Sequence, residues 1–385
     1  MDLQLLILVF VLLFAGAVYV RQIVQFIQGL PKITPGSNSR PFSVVVLVPA
    51  RNEESRIGKC ITSLLRQDYP EDQYKVIVID DQSTDRTAET VRTLAQQYPG
   101  RVSLLSVLQR HERVSPKINA LRYGIRESKS DLIFTTDADC ELPPQWISSS
   151  VKLFEDNVGV VTGVTLFRND TGTPRSLFGI QFLDFLSQTA CAAGAIGNDK
   201  VNNCNGSNMA FRRSVYESIG GYDSLDHLNS GDDSLLAQKI AGTGRWKVRF
   251  NLDRLSYVVT TPVSTWKEFL HQRMRWAAQT ASYRRDTLFF LICSFVYYLA
   301  LSITLAGSFF HAAFLVLFLT AFIPKLFVDF LILKKFTSLS CTKFLMRYYP
   351  SAALIHIPVV LIAVLGGYFG RFDWKGRVTE RRSTS

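Results

Sequence analysis

The chain has no pair of cysteines at zinc or disulfide spacing; its six, Cys60, Cys140, Cys191, Cys204, Cys293 and Cys341, are scattered. That excludes a disulfide framework and a zinc module, and it leaves reduced thiols, with Cys140 a small space-filling residue. No Gly-rich run ends in Gly-Lys-Ser/Thr, so a nucleotide is not held here by a P-loop. There is no internal repeat and no low-complexity tract, which sets aside solenoids and disordered arrays. Charge is absent from residues 5–20. An acidic excess is lacking as well, since the 385 residues carry a net charge of +11.

The hydrophobic fraction of 47% is ordinary, but it is unevenly placed. The uncharged N-terminal run fits a signal peptide, a buried helix or a membrane anchor. Asp2 precedes it, Arg21, Lys32 and Arg40 follow it, and no small-residue cleavage site stands out. The expectation is an uncleaved anchor over residues 1–22, with the segment after it in the cytoplasm. Apolar runs return at 288–303, 312–333 and 352–368, the second interrupted by Pro324, Lys325 and Asp329. Each approaches the ~20 residues that cross a bilayer. A C-terminal membrane region over 287–370 and a basic tail over 371–385 are expected.

Much of the positive excess flanks these runs, for example Arg273, Arg275, Arg284, Arg285, Lys334, Lys335, Lys343, Arg347, Arg371 and Arg377. That placement suits anionic headgroups or a diphosphate substrate. It does not suit nucleic acid, because the best-defined site in the chain is acidic and repels a phosphate backbone. Three C-terminal spans put the basic tail outside, against the positive-inside rule. One C-terminal apolar run is therefore expected to be interfacial or re-entrant.

Between the runs, residues 41–286 alternate strand and helix patterns. Strands are expected at 43–48, 75–79, 102–107 and 131–135, from continuous β-branched and apolar runs. Helices are expected at 54–67, 85–97 and 117–128. The alternation reads as an α/β fold with a mainly parallel sheet. Ligands of such sheets sit outside the carboxyl ends of the strands. Three of those ends carry acids: Pro49-Ala-Arg-Asn-Glu-Glu54, Asp80-Asp-Gln-Ser-Thr-Asp85, and Thr136-Asp-Ala-Asp139. Turns and caps account for Ser83 and Asp85. They do not account for Asp80 beside Asp81, or for Asp137 and Asp139 with one residue between them. Two close carboxylates repel and call for a cation, and hard oxygens select Mg²⁺ or Mn²⁺.

Further along stand Asn205-Gly-Ser-Asn-Met-Ala210, Gly220-Gly-Tyr-Asp223 and Ser230-Gly-Asp-Asp-Ser234, the last opening a short helix. Asp232 and Asp233 there fit either helix capping or chemistry. A basic amphipathic stretch over 264–283 sets Gln272, Arg275 and Trp276 at i, i+3, i+4 on one face. By periodicity alone it is equally a membrane-surface helix.

In this order the motifs resemble glycosyltransferase family 2, the inverting enzymes with a GT-A fold, over residues 44–276. The resemblance implies that Glu53, Asp80 and Asp81 contact the nucleotide. Lys117, in Pro116-Lys-Ile-Asn-Ala-Leu121, lies near the donor; Asp137 serves ribose or the metal shell, and Asp139 is the principal metal ligand. Asn205 and Gly206 belong to an acceptor-side turn. Asp233 matches the final acid of the family's Glu-Asp motif, the general base, with Asp232 in place of the Glu. Gln272, Arg275 and Trp276 match Gln-x-x-Arg-Trp, which closes over the diphosphate and lines the acceptor site. The activity so implied is transfer of a sugar from a nucleotide-diphosphate donor, UDP by family preference, to a lipid or lipid-linked acceptor at a bacterial inner membrane. A processive polysaccharide synthase is the alternative within the family. Outside it stand a metal-dependent nucleotidyl- or phosphoryl-transferase and a nucleotide-sugar receptor without turnover.

Overall fold

The computed structural model describes residues 3–107, 114–170, 172–223, 225, 231–369, 372–374 and 377–379. Ser230 and most of the basic tail, including Arg371, Lys375 and Gly376, lie outside the described residues. In chain order the elements are α1 (Leu3–Gly29), β1 (Val44–Ala50), α2 (Ile57–Leu64), β2 (Tyr74–Asp80), α3 (Thr87–Gln97), β3 (Val102–Ser106), α4 (Pro116–Arg126), β4 (Leu132–Thr135), α5 (Trp146–Val151), β5 (Val158–Gly163) and β6 (Thr165–Phe167). Then come α6 (Arg175–Gly197), β7 (Met209–Arg212), α7 (Arg213–Ser218), α8 (Asp232–Gly242), β8 (Lys247–Asn251), β9 (Val258–Thr260), α9 (Trp266–Ala277), α10 (Arg285–Gly307), α11 (Ala312–Leu339), α12 (Tyr349–Phe369), β10 (Phe372–Trp374) and β11 (Arg377–Thr379).

They form two compact units, an α/β unit of Ile33–Gly172, Asp199–Pro262 and Asp373–Ser385, and a helical unit of Met1–Lys32, Thr173–Asn198 and Val263–Phe372. The sequence boundaries at 22, 41 and 286 are simpler than this division. Both α6 and α9 pack with the helical unit, although they fall between residues 41 and 286. They do so because their partners, α1 and α12, are long apolar helices.

The α/β unit is built on a seven-stranded sheet of order β3-β2-β1-β4-β7-β5-β8. The pairs β1–β2, β1–β4, β2–β3 and β5–β8 are parallel, and β7 runs antiparallel between β4 and β5. Strand β1 is almost wholly buried, with Val44, Val46 and Val48 on one face and Val45 and Leu47 on the other. A strand covered on both faces needs such an unbroken apolar run. One face builds a core of Val46, Val78, Phe134, Ile61 and Trp146. The short parallel pair β6–β9 adds a second sheet. Helix α2 begins later than its pattern suggests, because the Glu53 carbonyl accepts from Arg56 and Ile57 in a turn ahead of it.

In the helical unit, α1, α10, α11 and α12 are long and apolar enough to cross a bilayer. Helix α11 runs unbroken through Pro324. The charges that interrupt its pattern neutralise each other one turn apart, with Lys325 Nζ 2.6 Å from Asp329 Oδ2. Tyr19 of α1 donates to the other Asp329 oxygen at 2.7 Å. Helix α6 has no polar face and buries residues all around its axis, including Ala190, Ala192, Ala193 and Ala195. It meets α1 backbone to backbone, and a Cβ on Gly194 would lie 2.2 Å from the Phe26 carbonyl oxygen. Small residues permit such an approach between apolar helices.

Candidate active site

The carboxyl ends of β1, β2 and β4 lie side by side in the sheet, and each opens into an acidic turn. The first two turns are locked together. Asn52 and Gln82 both adopt left-handed backbone, at φ 52° and 59°. The Asn52 amide donates to Ser83 Oγ at 3.0 Å, and Thr84 N donates to Asn52 Oδ1 at 2.9 Å. Non-glycine residues in that region are strained and need neighbours that fix them. Arg51 adds a hydrogen bond to the carbonyl of Asp81 at 2.8 Å. Glu53, Asp80 and Asp81 are all buried at this edge. Ser83 N donates to Asp80 at 3.2 Å, and Glu53 N to Thr87 Oγ1 at 2.7 Å.

At the end of β4, Asp137 and Asp139 flank buried Ala138 and remain partly exposed. Lys117, on the first turn of α4, donates to Asp137 Oδ1 at 2.9 Å. Arg56 stands 3.8 Å from Asp139. Carboxylate oxygens of Asp137 and Asp139 and the sulfur of Cys140 gather within 4.8 Å of one another. Cys140 is spent on the protein itself, its Sγ donating to Asp139 Oδ1 at 3.7 Å, and burial with Asp139 and Asp137 pushes the thiol up. The donor set is thus two hard carboxylates, which fits Mg²⁺ or Mn²⁺ and not zinc.

Asp232 and Asp233 occupy the first turn of α8, behind Gly231 at φ 78°. Capping alone does not describe Asp233. One oxygen does accept from Ser234 N at 2.7 Å, but the other reaches the Gly206 amide at 2.6 Å on a distant turn. Burial raises Asp233 to about 6, and neighbouring Asp232 adds to the shift; Lys117 and the two amides oppose it. Burial pulls Lys117 down, yet Asp137, Asp232 and Asp233 outweigh it and raise the ammonium above its usual range. Lys117 is therefore the common counter-charge of the β4 turn and the α8 acids.

Asn205 and Gly206, expected at an acceptor, are engaged with protein groups here. Asn205 caps its own turn by accepting from Ser207 N at 3.2 Å and donates to Thr165 Oγ1 at 2.8 Å. Gln272, Arg275 and Trp276 lie on α9 of the helical unit, one turn of which is closed by a Thr265–Glu268 capping box. Sequence reading passed over Arg56 and the Gly206–Asp233 contact. Arg56 stands just past the first motif, and its charge was the available signal. The second contact had no local signal.

A mainly parallel sheet with acids at three strand mouths and two acids on the first turn of α8 defines a GT-A glycosyltransferase. A mannosyltransferase from Pyrobaculum calidifontis, solved with GDP-Man and Mn²⁺, superposes with a TM-score of 0.63 at 19% identity, over 91% of this chain and 99% of that one. The profile of glycosyl transferase family 21 matches residues 8–382, and the chain belongs to that family. The motifs resemble family 2, whereas the family matched is 21, with a GT-A-like fold. A probable glycosyltransferase, YdaM, of Bacillus subtilis is 27% identical over 67% of this chain and 59% of its own length. The beta-monoglucosyldiacylglycerol synthase of Synechocystis is 29% identical over 64% of this chain and 50% of its own. The chain spans about half the length of the curated relatives it matches.

Proposed function

We propose that this glycosyltransferase is membrane-anchored, and that it moves a sugar from a nucleotide-diphosphate donor to the hydroxyl of a lipid or lipid-linked acceptor with inversion. The observation that carries the reading is Asp233: a carboxylate raised to about 6, aimed by two backbone amides, and joined through Lys117 to the Asp137 turn. An acceptor hydroxyl is a weak nucleophile near neutral pH, and a general base works best with a value near that pH. Asp233 takes the hydroxyl proton as the oxygen attacks the anomeric carbon. The nucleotide diphosphate departs from the opposite face, so no covalent enzyme intermediate forms.

Glu53, Asp80 and Asp81 orient the nucleotide in this scheme. Lys117 offsets charge growing on the leaving group, a fixed cation in a shielded site. Asp137 and Asp139 are the residues to hold Mg²⁺ or Mn²⁺, which supplies Lewis-acid stabilisation of the diphosphate when bound. Roles for Gln272 and Arg275 at the donor, and for Asn205, Gly206 and Trp276 at the acceptor, rest on the motif resemblance. Residues 1–22, 41–286, 287–370 and 371–385 are taken as anchor, catalytic domain, membrane region and tail, with catalysis on the cytoplasmic side.

The lipid acceptor is supported by four long apolar helices and by the name of the Synechocystis relative. The test is a panel of radiolabelled UDP- and GDP-sugars with diacylglycerol and polyprenyl-diphosphate-linked sugar acceptors and Mn²⁺. Sugar label in the lipid phase with free nucleoside diphosphate is expected. Nucleotide retained on the acceptor, or parent-like turnover in Asp233→Asn, overturns the reading. A ladder of long glycans would favour the polysaccharide synthase instead, the activity named for a Staphylococcus epidermidis relative 26% identical over 60% of this chain and 53% of its own length.

A further inference from the structure

The stretch Gln272-Arg-Met-Arg-Trp276 contains a second arginine with no part in the scheme above. Arg273 is, with Phe269, one of the two buried residues of α9. Its Nε donates to Asp184 Oδ2 of α6 at 2.6 Å, and the two side chains are only 5% and 13% exposed. Its Nη1 donates to Gln272 Oε1 at 2.7 Å. Its guanidinium carbon lies 4.3 Å from the Trp276 ring centroid and 4.6 Å from that of Phe269. Phe185, next to Asp184, also meets Trp276, with ring centroids 6.0 Å apart. One cation therefore touches two of the three motif side chains, and a carboxylate from a different helix holds that cation.

This is a costly way to stabilise a helix contact. Burying two charges costs several kcal/mol before their attraction offsets it, and apolar side chains of like volume often do as well. Nη2 is buried without a hydrogen-bond partner among the described residues, which adds to the cost. What the guanidinium offers instead is shape. Its rigid plane stacks on an indole while its fork reaches a carboxylate and an amide at fixed angles, and a lysine does none of this.

We propose that Arg273 is a positioning residue for glycosyl transfer: anchored by Asp184, it fixes the side chains of Gln272 and Trp276 in their working orientations. The proposal rests on the reading that Gln272 and Trp276 take part in the reaction. Small displacements of such groups cost up to about 100-fold in rate.

The test is Arg273→Lys in the full-length protein in detergent, with kcat, KM and melting midpoint measured. Lysine keeps the charge toward Asp184 and loses the stack and the planar fork that reaches Asp184 and Gln272 together. We expect a midpoint near the parent's and a fall in kcat/KM of about 10- to 100-fold. Added to Gln272→Ala/Trp276→Ala, the same substitution should cost nothing further, because residues acting through one another are non-additive. Should Arg273→Lys fail to fold, Arg273→Gln, which keeps a donor toward Asp184 and loses the guanidinium plane, replaces it in the same cycle. Parent-like kinetics in the single variant, or an equal loss in both backgrounds, overturns the positioning role alone. Parent-like turnover in Gln272→Ala/Trp276→Ala overturns the motif's role and the proposal with it.

Discussion

The backbone amide of Gly206 donates to Asp233 Oδ2 at 2.6 Å, and a Cβ at Gly206 would lie 2.8 Å from that same oxygen. Residue 206 has room for the hydrogen bond and for nothing more. Gly206→Ala should swing the carboxylate away from its present direction. The expected result is a loss of kcat of about 10- to 100-fold, with little change in melting midpoint. Initial rates at saturating donor check this, and an unchanged kcat would mean that the direction of Asp233 is immaterial.

Asp233 also sets a pH dependence. Burial, with Asp232 behind it, raises the carboxyl to about 6, and on the role proposed for Asp233 the ionised form is the active one. Turnover should rise through about pH 6 and level off above it. A limb centred near 4, the value of a free aspartate, would contradict the assignment.

Stability should move the other way. A carboxyl whose folded value is raised binds its proton more tightly in the native state than in the unfolded one. Native stability then falls as pH climbs from about 4 to about 6, and it does not return above that. Asp233→Asn should be inactive, and because its amide accepts from only one of Gly206 N and Ser234 N it carries a pH-independent cost; relative to the parent it should gain about 1 to 2 kcal/mol between pH 4 and pH 7.5. Melting curves of both proteins in detergent at the two pH values test the sign.

The two-carboxylate donor set predicts a hard-cation requirement. EDTA should abolish turnover, Mn²⁺ or Mg²⁺ should restore it, and Zn²⁺ should not. Asp139→Asn should raise the Mn²⁺ concentration needed for half-maximal rate, or remove activity altogether. Full activity of the parent in EDTA would remove the metal from the scheme.

In the helical unit, Asp329→Leu strands Lys325, which is 1% exposed, and breaks the Tyr19 contact as well. Loss of one member of a buried pair costs about 3 to 5 kcal/mol. Removing both charges, as Lys325→Leu/Asp329→Leu, should recover most of that. The check is the yield and melting midpoint of the two variants in the same detergent.

The α/β half of the fold was legible because its strands are continuous β-branched runs, and because acids after β1, β2 and β4 mark the sheet edge where ligands sit. β1 to β4 with α3 and α4 fall within a few residues of their expected positions. Helix α6 was not legible. A helix buried on every side has no apolar stripe, and its glycines and alanines give no periodic signal. Strand β7 was hidden for another reason. Met209–Arg212 takes its place between β4 and β5 through pairings with distant segments, which no local pattern announces. At the site, the acids could be read from their types and places. The contact between Gly206 and Asp233, and that between Arg273 and Asp184, join residues remote in sequence and exist only once the chain is folded.

The helical unit is drawn from three separate stretches of chain, and this constrains how the protein is made. Synthesis delivers α6 long before α9 to α12. Until those arrive, this largely apolar helix has α1 and the turn after it to pack on, and the glycine-lined contact with α1 is ready to form at once. A shortened version ending at Pro262, designed to obtain the α/β half in water, would still carry α6 with its α11 and α12 side uncovered, and should aggregate.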